Sequence, residues 1–369
     1  MPVGTLSIMR TMAARLMSVT LMWQATLGVS HAQESVLVEA VMTEGTNMAA
    51  SLSPNGETLV LALQGVLWTL PAQGGEAIAL TPAEMDAHEP TWAPDGSLIA
   101  FYAFVGDAFA IWTVAPDSSE LTRIALPEGA DARYPSFSFD GSKLLYASDE
   151  SGGYGLWMTD LNSGERRQLT SAQETGYSAP STPYFSGAGN AVYPTLSPDG
   201  QTLAYVIDGP MHRLVIRDLN SRQAAREIYT AELLGAPLWD RDGQAVYIVG
   251  IDESQTHLSR ISTNGSNVER LVEGGDIFPF RPSLSPEGEL YYTADGQVKT
   301  LTLAGEQGPS VPFMAKVTLD RTPYPRRQYD LASQTPQQTL GIIDPILSPD
   351  ASAAAFAAIG DLWIADLVS

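Results

Sequence analysis

The chain is organised by one recurrent turn. Leu196-Ser197-Pro198-Asp199-Gly200 is followed by Gln201–Val206, an alternating run rich in branched and aromatic residues. Pro pre-sets the backbone of a tight turn, Asp suits the next position and Gly takes the positive φ that ends it. The residues after it read as a strand. Near-copies stand at Ser53-Pro54-Asn55-Gly56, Ala93-Pro94-Asp95-Gly96, Ser138-Phe139-Asp140-Gly141, Asp240-Arg241-Asp242-Gly243, Ser285-Pro286-Glu287-Gly288 and Ser348-Pro349-Asp350-Ala351. From Gly56 to Gly288 the turn glycines are 40, 45, 59, 43 and 45 residues apart, and 63 more residues lead to Ala351.

Each copy predicts a second strand directly after its turn: Thr58–Leu63, Leu98–Tyr102, Lys143–Ala147, Thr202–Val206, Ala245–Val249, Glu289–Thr293 and Ala353–Ala357. A third strand follows, often centred on an aliphatic-Trp pair such as Leu67-Trp68, Ile111-Trp112, Leu156-Trp157 or Leu362-Trp363. A polar turn and a fourth strand complete the unit. Four strands in 40 to 45 residues is the arithmetic of a β-propeller blade. The fold class is therefore all-β, a β-propeller of seven four-stranded blades. The last unit lacks a fourth strand and Ser35–Met42 is surplus to the first, so the N-terminal strand is expected to complete the last blade and close the ring. Val311–Leu319 is expected to be the last strand of blade six.

Residues 1–32 carry Arg10 and Arg15, no acid, a short apolar run and the small residues Ser30 and Ala32. They read as a signal peptide cleaved before Gln33, which leaves 33–369 as a single domain in the periplasm or outside the cell. The apolar run is too short for a permanent membrane span, so no membrane insertion is expected. With 42 acidic and 20 basic residues spread along the chain, the surface repels phosphate backbones, and nucleic acid is not an expected partner. Ser171–Asn190 reads as a surface loop, and the basic pair Arg326-Arg327 as docking on the acidic body itself.

The repeat resembles the TolB-like propellers of bacterial envelope proteins, over nearly all of residues 35–369. Glu44-Gly45-Thr46-Asn47, Gly65–Thr81, Pro312-Phe313 and Asp344–Asp350 leading to Gly360-Asp361-Leu362-Trp363 also look like the propeller found ahead of secreted bacterial amidohydrolase domains. That resemblance implies an accessory propeller of a metal-dependent hydrolase whose catalytic domain is not in this chain. The sequence departs from the repeat at Asn55, Phe139 and Ala351, which weakens single turns.

No catalytic motif stands out. His88, His212 and His257 fall in different repeats with no His-x-His pair, there is no Gly-x-Ser-x-Gly elbow, and the chain has no cysteine. No catalytic residue, metal ligand or cofactor is expected, and the Asp residues of the turns read as turn formers. The remaining signal is a ring of positions in the loops entering each first strand, mostly just before a proline: Asn47, His88, Glu89, Arg133, Tyr134, Tyr193, Phe280, Arg281 and Asp344. Propellers gather these loops around the central channel, and aromatic and Arg side chains serve as interface anchors. The expectation is a monomeric, non-enzymatic scaffold that binds an envelope protein or peptide at its channel face. The alternative is the amidohydrolase accessory propeller, and a third possibility is that the aromatic residues only plug the channel.

Overall fold

The computed structural model describes residues 36–117, 120–170, 189–221, 223–321, 343–358 and 361–367. The signal-peptide expectation, most of the 171–190 loop and Arg326-Arg327 lie outside these residues. The described residues divide into two compact units, Leu37–Asp320 in one and the residues from 343 onward in the other.

Six sheets make up the larger unit, one per repeat, with strands consecutive in the chain paired antiparallel. Their inner strands are Ala49–Leu52, Ala87–Trp92, Ala132–Phe137, Ala191–Leu196, the short pair Leu233–Leu234 and Leu238–Trp239, and Ser283–Leu284. The strands after the turns are Thr58–Leu63, Ile99–Val105, Lys143–Ser148, Thr202–Ile207, Ala245–Asp252 and Glu289–Ala294. Each lies within a residue or a few of its expected bounds.

The turns form as their chemistry dictates. Ser197 Oγ donates to Asp199 Oδ1 and accepts from Thr202 N at 2.9 Å, while Asp199 Oδ1 accepts from Gln201 N at 3.0 Å. Ser53, Ser138 and Ser348 do the same with Asn55, Asp140 and Asp350. These hydrogen bonds, led by those from Ser138 and Ser348, hold the Asp140 and Asp350 carboxyls down at about 2. The turn aspartates make the bend.

Every second strand is apolar at consecutive positions because both its faces are covered. Leu59, Leu61 and Leu63 pack with Phe278, Val298 and Phe313, whereas Val60 and Ala62 of the same strand pack with Ile99, Phe101 and Ala103. Ala100 and Tyr102 then meet Leu144 and Tyr146. Leu145 and Ala147 meet Leu203 and Tyr205, and the same cluster reaches Val246 and Ile248. Tyr247 and Val249 meet Leu290 and Tyr292 of sheet six. Sheet six packs in turn on sheet one, where Leu52 N donates to Ser283 Oγ at 3.1 Å. The packing order of the six sheets is thus cyclic.

Two expectations need correction. Val36–Met42 does not complete the last blade: it lies beside Phe313–Arg321 at the outer edge of sheet one. Nor is Val311–Leu319 simply the last strand of blade six. Val311 bridges Val298 of sheet six, and the chain then crosses to pair in parallel with Gly75–Ala79 of sheet one, Phe313 opposite Gly75 and Ala315 opposite Ala77. The physical reason is burial. Phe313 and Ala315 alternate inward into the cluster shared by sheets one and six and are 4% and 0% exposed.

The seventh repeat forms a three-stranded sheet, Ile343–Leu347, Ala353–Ala358 and Asp361–Asp366, which falls in the smaller unit. It carries blade-like detail, since Trp363 Nε1 donates to Ala358 O at 3.0 Å just as Trp68 Nε1 donates to Leu63 O at 3.2 Å. Yet Leu362 is 76% exposed, where the equivalent Leu67, Ile111 and Leu156 are at 0%.

Candidate functional site

The inner strands are bent at a repeated point. Glu89, Tyr134 and Tyr193 have φ of 41, 60 and 56°, each precedes a proline, and the pairing register slips there, between His88 and Thr91, Arg133 and Ser136, and Val192 and Thr195. Proline cannot donate to the ladder, so a bulge forms at the dipeptide and re-aims the side chain before it. Asn47 shares the left-handed conformation, with φ of 53°. Because the strain recurs from sheet to sheet, it belongs to how an inner strand is built and does not by itself mark chemistry.

The loops entering these strands are fixed by aspartates that the sequence pattern did not single out. Asp149 Oδ1 accepts from Asp131 N at 2.8 Å, Asp208 Oδ1 from Asn190 N at 2.8 Å and Asp295 Oδ1 from Asp276 N at 2.9 Å. In sheets three, four and six the loop is thereby tied to the end of the second strand.

Eight of the nine expected positions come together in the larger unit. Glu89, Tyr134 and Arg281 line one small cavity with Phe280 and Ala49–Ser51. Asn47, His88 and Glu89 line a larger cavity of about 210 Å³ with Thr46, Gln64 and Phe280. Tyr193 packs tilted against Tyr134 with ring centres 4.2 Å apart, and Tyr134 meets Tyr102 edge-on at 5.4 Å. Arg133 sits beside them, its guanidinium 4.0 Å above the Phe109 ring and 2.8 Å from Asp131 Oδ2. Asp344 occupies the matching pre-proline bulge of the seventh sheet, in the other unit, and is not part of this cluster.

Two charges sit at the centre without forming an ion pair. Arg281 Nη1 donates to Pro135 O at 3.4 Å and Nη2 to Pro194 O at 3.1 Å, so a side chain of sheet six ties down carbonyls of sheets three and four. Burial pulls this guanidinium down to about 10, against the attraction of Glu89 and Tyr193. Burial pushes the Glu89 carboxyl up to about 7, opposed by Arg281 and by the hydrogen bond that Tyr102 Oη donates to Oε1 at 3.2 Å. Tyr102 comes from a second strand, so no pattern at the first-strand loops could have found it. His88 stacks on Tyr102 at 5.2 Å and lies 3.2 Å from Asp86 Oδ1.

Among the described residues no group of three metal-binding side chains occurs. A Ser-His-Asp set does exist in sheet five: His257 Nδ1 is 2.8 Å from Ser259 Oγ, and Nε2 is 3.2 Å from Asp252 Oδ2. Ser259 and His257 are 0% exposed, so no substrate reaches the hydroxyl and the set is part of the core. It predicts a pH dependence. Burial, then Arg270, lowers the His257 pKa, so the native ring stays neutral while the unfolded ring takes a proton near 6.5. Stability contributed by the neutral ring is complete above that pH and is lost as pH falls through it. Urea melts at pH 7.5 and 5.5 should show a larger acid loss in the wild type than in His257→Leu.

Residues 29–192 match the TolB beta propeller domain, and residues 167–277 match the Lipoprotein LpqB beta-propeller domain. No curated protein matches. Among solved structures, TolB from Acinetobacter baumannii aligns at 18% identity and a TM-score of 0.49 over 63% of this chain and 54% of that one. The chain thus spans about half of that relative. A protein described as TolB from Agrobacterium tumefaciens aligns at 18% identity and a TM-score of 0.50, over 65% of this chain and 90% of that one. The tricorn protease aligns at 14% identity and a TM-score of 0.54, covering 88% of this chain and 30% of that one. At these identities the Agrobacterium and tricorn structures speak to fold alone.

Proposed function

We propose that this chain, a TolB-like β-propeller, is a non-enzymatic interaction scaffold of the bacterial envelope that binds a protein or peptide segment at its channel face. The observation that carries this reading is the convergence of Asn47, His88, Glu89, Tyr134 and Arg281, from four different sheets, on two cavities that share Glu89 and Phe280. Aromatic and Arg side chains in a concave, part-enclosed setting are what peptide anchors meet. A catalytic reading lacks such a convergence among the described residues, where the Ser-His-Asp set of sheet five is sealed in the core. The match to a lipoprotein propeller and the N-terminal leader pattern support an envelope location after cleavage before Gln33.

The test is selection of a random displayed peptide library on the purified full chain. Enriched peptides should bind the wild type and lose about tenfold or more in affinity to His88→Ala, a loss of about 1.4 kcal/mol. Peptides indifferent to that change would place binding elsewhere and overturn the reading.

A second reading, the accessory propeller of an amidohydrolase, is favoured by the seventh sheet. Its Leu362, Trp363 and Ile364 are 76, 50 and 74% exposed, as suits a blade that belongs beside further repeats. Sequencing the transcript past Ser369 tests it, and an in-frame hydrolase with a His-x-His pair would establish it.

A further inference from the structure

Glu89 stands where the two cavities meet, lining both the small one against Arg281 and the larger one that opens past Asn47, Gln64 and His88. Its carboxylate accepts from Tyr102 at 3.2 Å, and no described Lys, Arg or His nitrogen forms an ion pair with it. Arg281 is the nearby cation, but both its terminal nitrogens are committed to the carbonyls of Pro135 and Pro194. A cationic guest would therefore find a carboxylate that Arg281 attracts from a distance but that no described cation contacts as an ion pair. The walls suit a cation as well. Phe280 lines both cavities, His88 lies flat on Tyr102, and Tyr134 closes the inner side, so a positive group at Glu89 meets aromatic rings. At about 210 Å³ the larger cavity falls below the roughly 300 Å³ at which small-molecule sites begin, and so has room for one side chain. The net charge of -22 draws cations toward the protein from a distance.

We infer that Glu89 is the anionic floor of a single-side-chain pocket that takes an organic cation, the ammonium or guanidinium of a basic residue in a bound peptide. This rests on the channel-face reading above, and it specifies which peptides that face accepts. The charged groups facing Glu89 are Arg281 from sheet six and, on its own element, His88 with Asp86 behind it. The phenols are Tyr102, Tyr134 and Tyr193 from sheets two, three and four. A carboxyl held up near 7 by burial, against the pull of Arg281, gains a cation in direct contact when the guest enters, so binding should strengthen as pH rises through 7 and should lower the carboxyl's midpoint.

The experiment uses n-butylammonium chloride, with 1-butanol as the neutral analogue and KCl at matched ionic strength. Carboxyl carbon NMR of the Glu-labelled full chain follows Glu89, whose signal is identified by its loss in Glu89→Gln. Saturating butylammonium is expected to lower the Glu89 midpoint by about one unit or more, with no shift from 1-butanol or KCl. Butylammonium should also raise the wild-type melting temperature and leave that of Glu89→Gln unchanged. A midpoint that butylammonium leaves in place, or one that KCl moves equally, overturns the inference. Selected peptides without Lys or Arg that bind Glu89→Gln as tightly as the wild type also overturn it, while leaving the scaffold reading intact. Failure of the peptide selection with butylammonium still bound overturns the scaffold reading alone.

Discussion

Gly74→Val should be among the most damaging single substitutions in the chain, lowering the unfolding free energy by about 3–5 kcal/mol in urea melts. Gly74 has φ of +98°, and a Cβ there would lie 2.3 Å from the carbonyl oxygen of Pro312 and 2.8 Å from its ring. Part of the cost is conformational, about 1–3 kcal/mol for a side chain held at positive φ. The rest comes from backbone that cannot yield without moving Phe313–Arg321 off sheet one. Gly75 N donates to that same Pro312 oxygen at 2.9 Å, and the buried Phe313 and Ala315 follow directly. Gly152 separates the two contributions, since its φ is +93° but nothing lies within 4 Å of a Cβ there. Gly152→Val should show only the conformational cost. If the two variants lose the same stability, the crossing strand contributes nothing to holding sheets one and six together.

Arg281→Met is the second large effect. The substitution keeps most of the aliphatic volume and removes the fork that joins a carbonyl of sheet three to one of sheet four. Pro135 O and Pro194 O are left without that donor, at a cost of about 2–4 kcal/mol once the relief of desolvating the guanidinium is set against it. The electrostatic consequence runs in a definite direction. Arg281 restrains the rise of the Glu89 carboxyl, so its loss should push that midpoint above about 7. Arg281→Lys should hold the midpoint near its wild-type position while recovering only part of the stability, because one ammonium cannot reproduce two forked donors. A wild-type melting curve for Arg281→Met would show that the bonds to Pro135 and Pro194 carry no net weight.

The parts of this fold legible in the sequence are those fixed by local chemistry. A Ser-Pro-Asp-Gly turn closes through bonds between residues two to five apart, so each copy announces its own bend and the strand beyond it. The same locality means that a turn speaks for its own bend and not for what lies beside its sheet. The turn at Ser348–Ala351 forms by the same bonds as the others. Pairing partners distant in the chain were not legible. The alternation of Phe313, Ala315 and Val317 signals a strand, but nothing in it distinguishes the edge of sheet six from that of sheet one. In the site, the pre-proline positions were visible because proline imposes the bulge on its own strand. Tyr102, projecting from a neighbouring strand, was not, and neither was the commitment of Arg281 to backbone oxygens in place of Glu89.

The crossing strand also sets an order of events for the growing chain. Phe313 finds its partner at Gly75, so the residues that join sheet six to sheet one are separated by most of the domain. Contacts of such separation slow folding, because a long loop must close before its pairing is rewarded. Until the segment after Pro312 leaves the ribosome, Gly75–Ala79 presents an unpaired strand edge and the faces shared by sheets one and six stay wet. A nascent chain in that state is exposed to edge-to-edge association. The last strand of the larger unit thus governs how long the first sheet must wait.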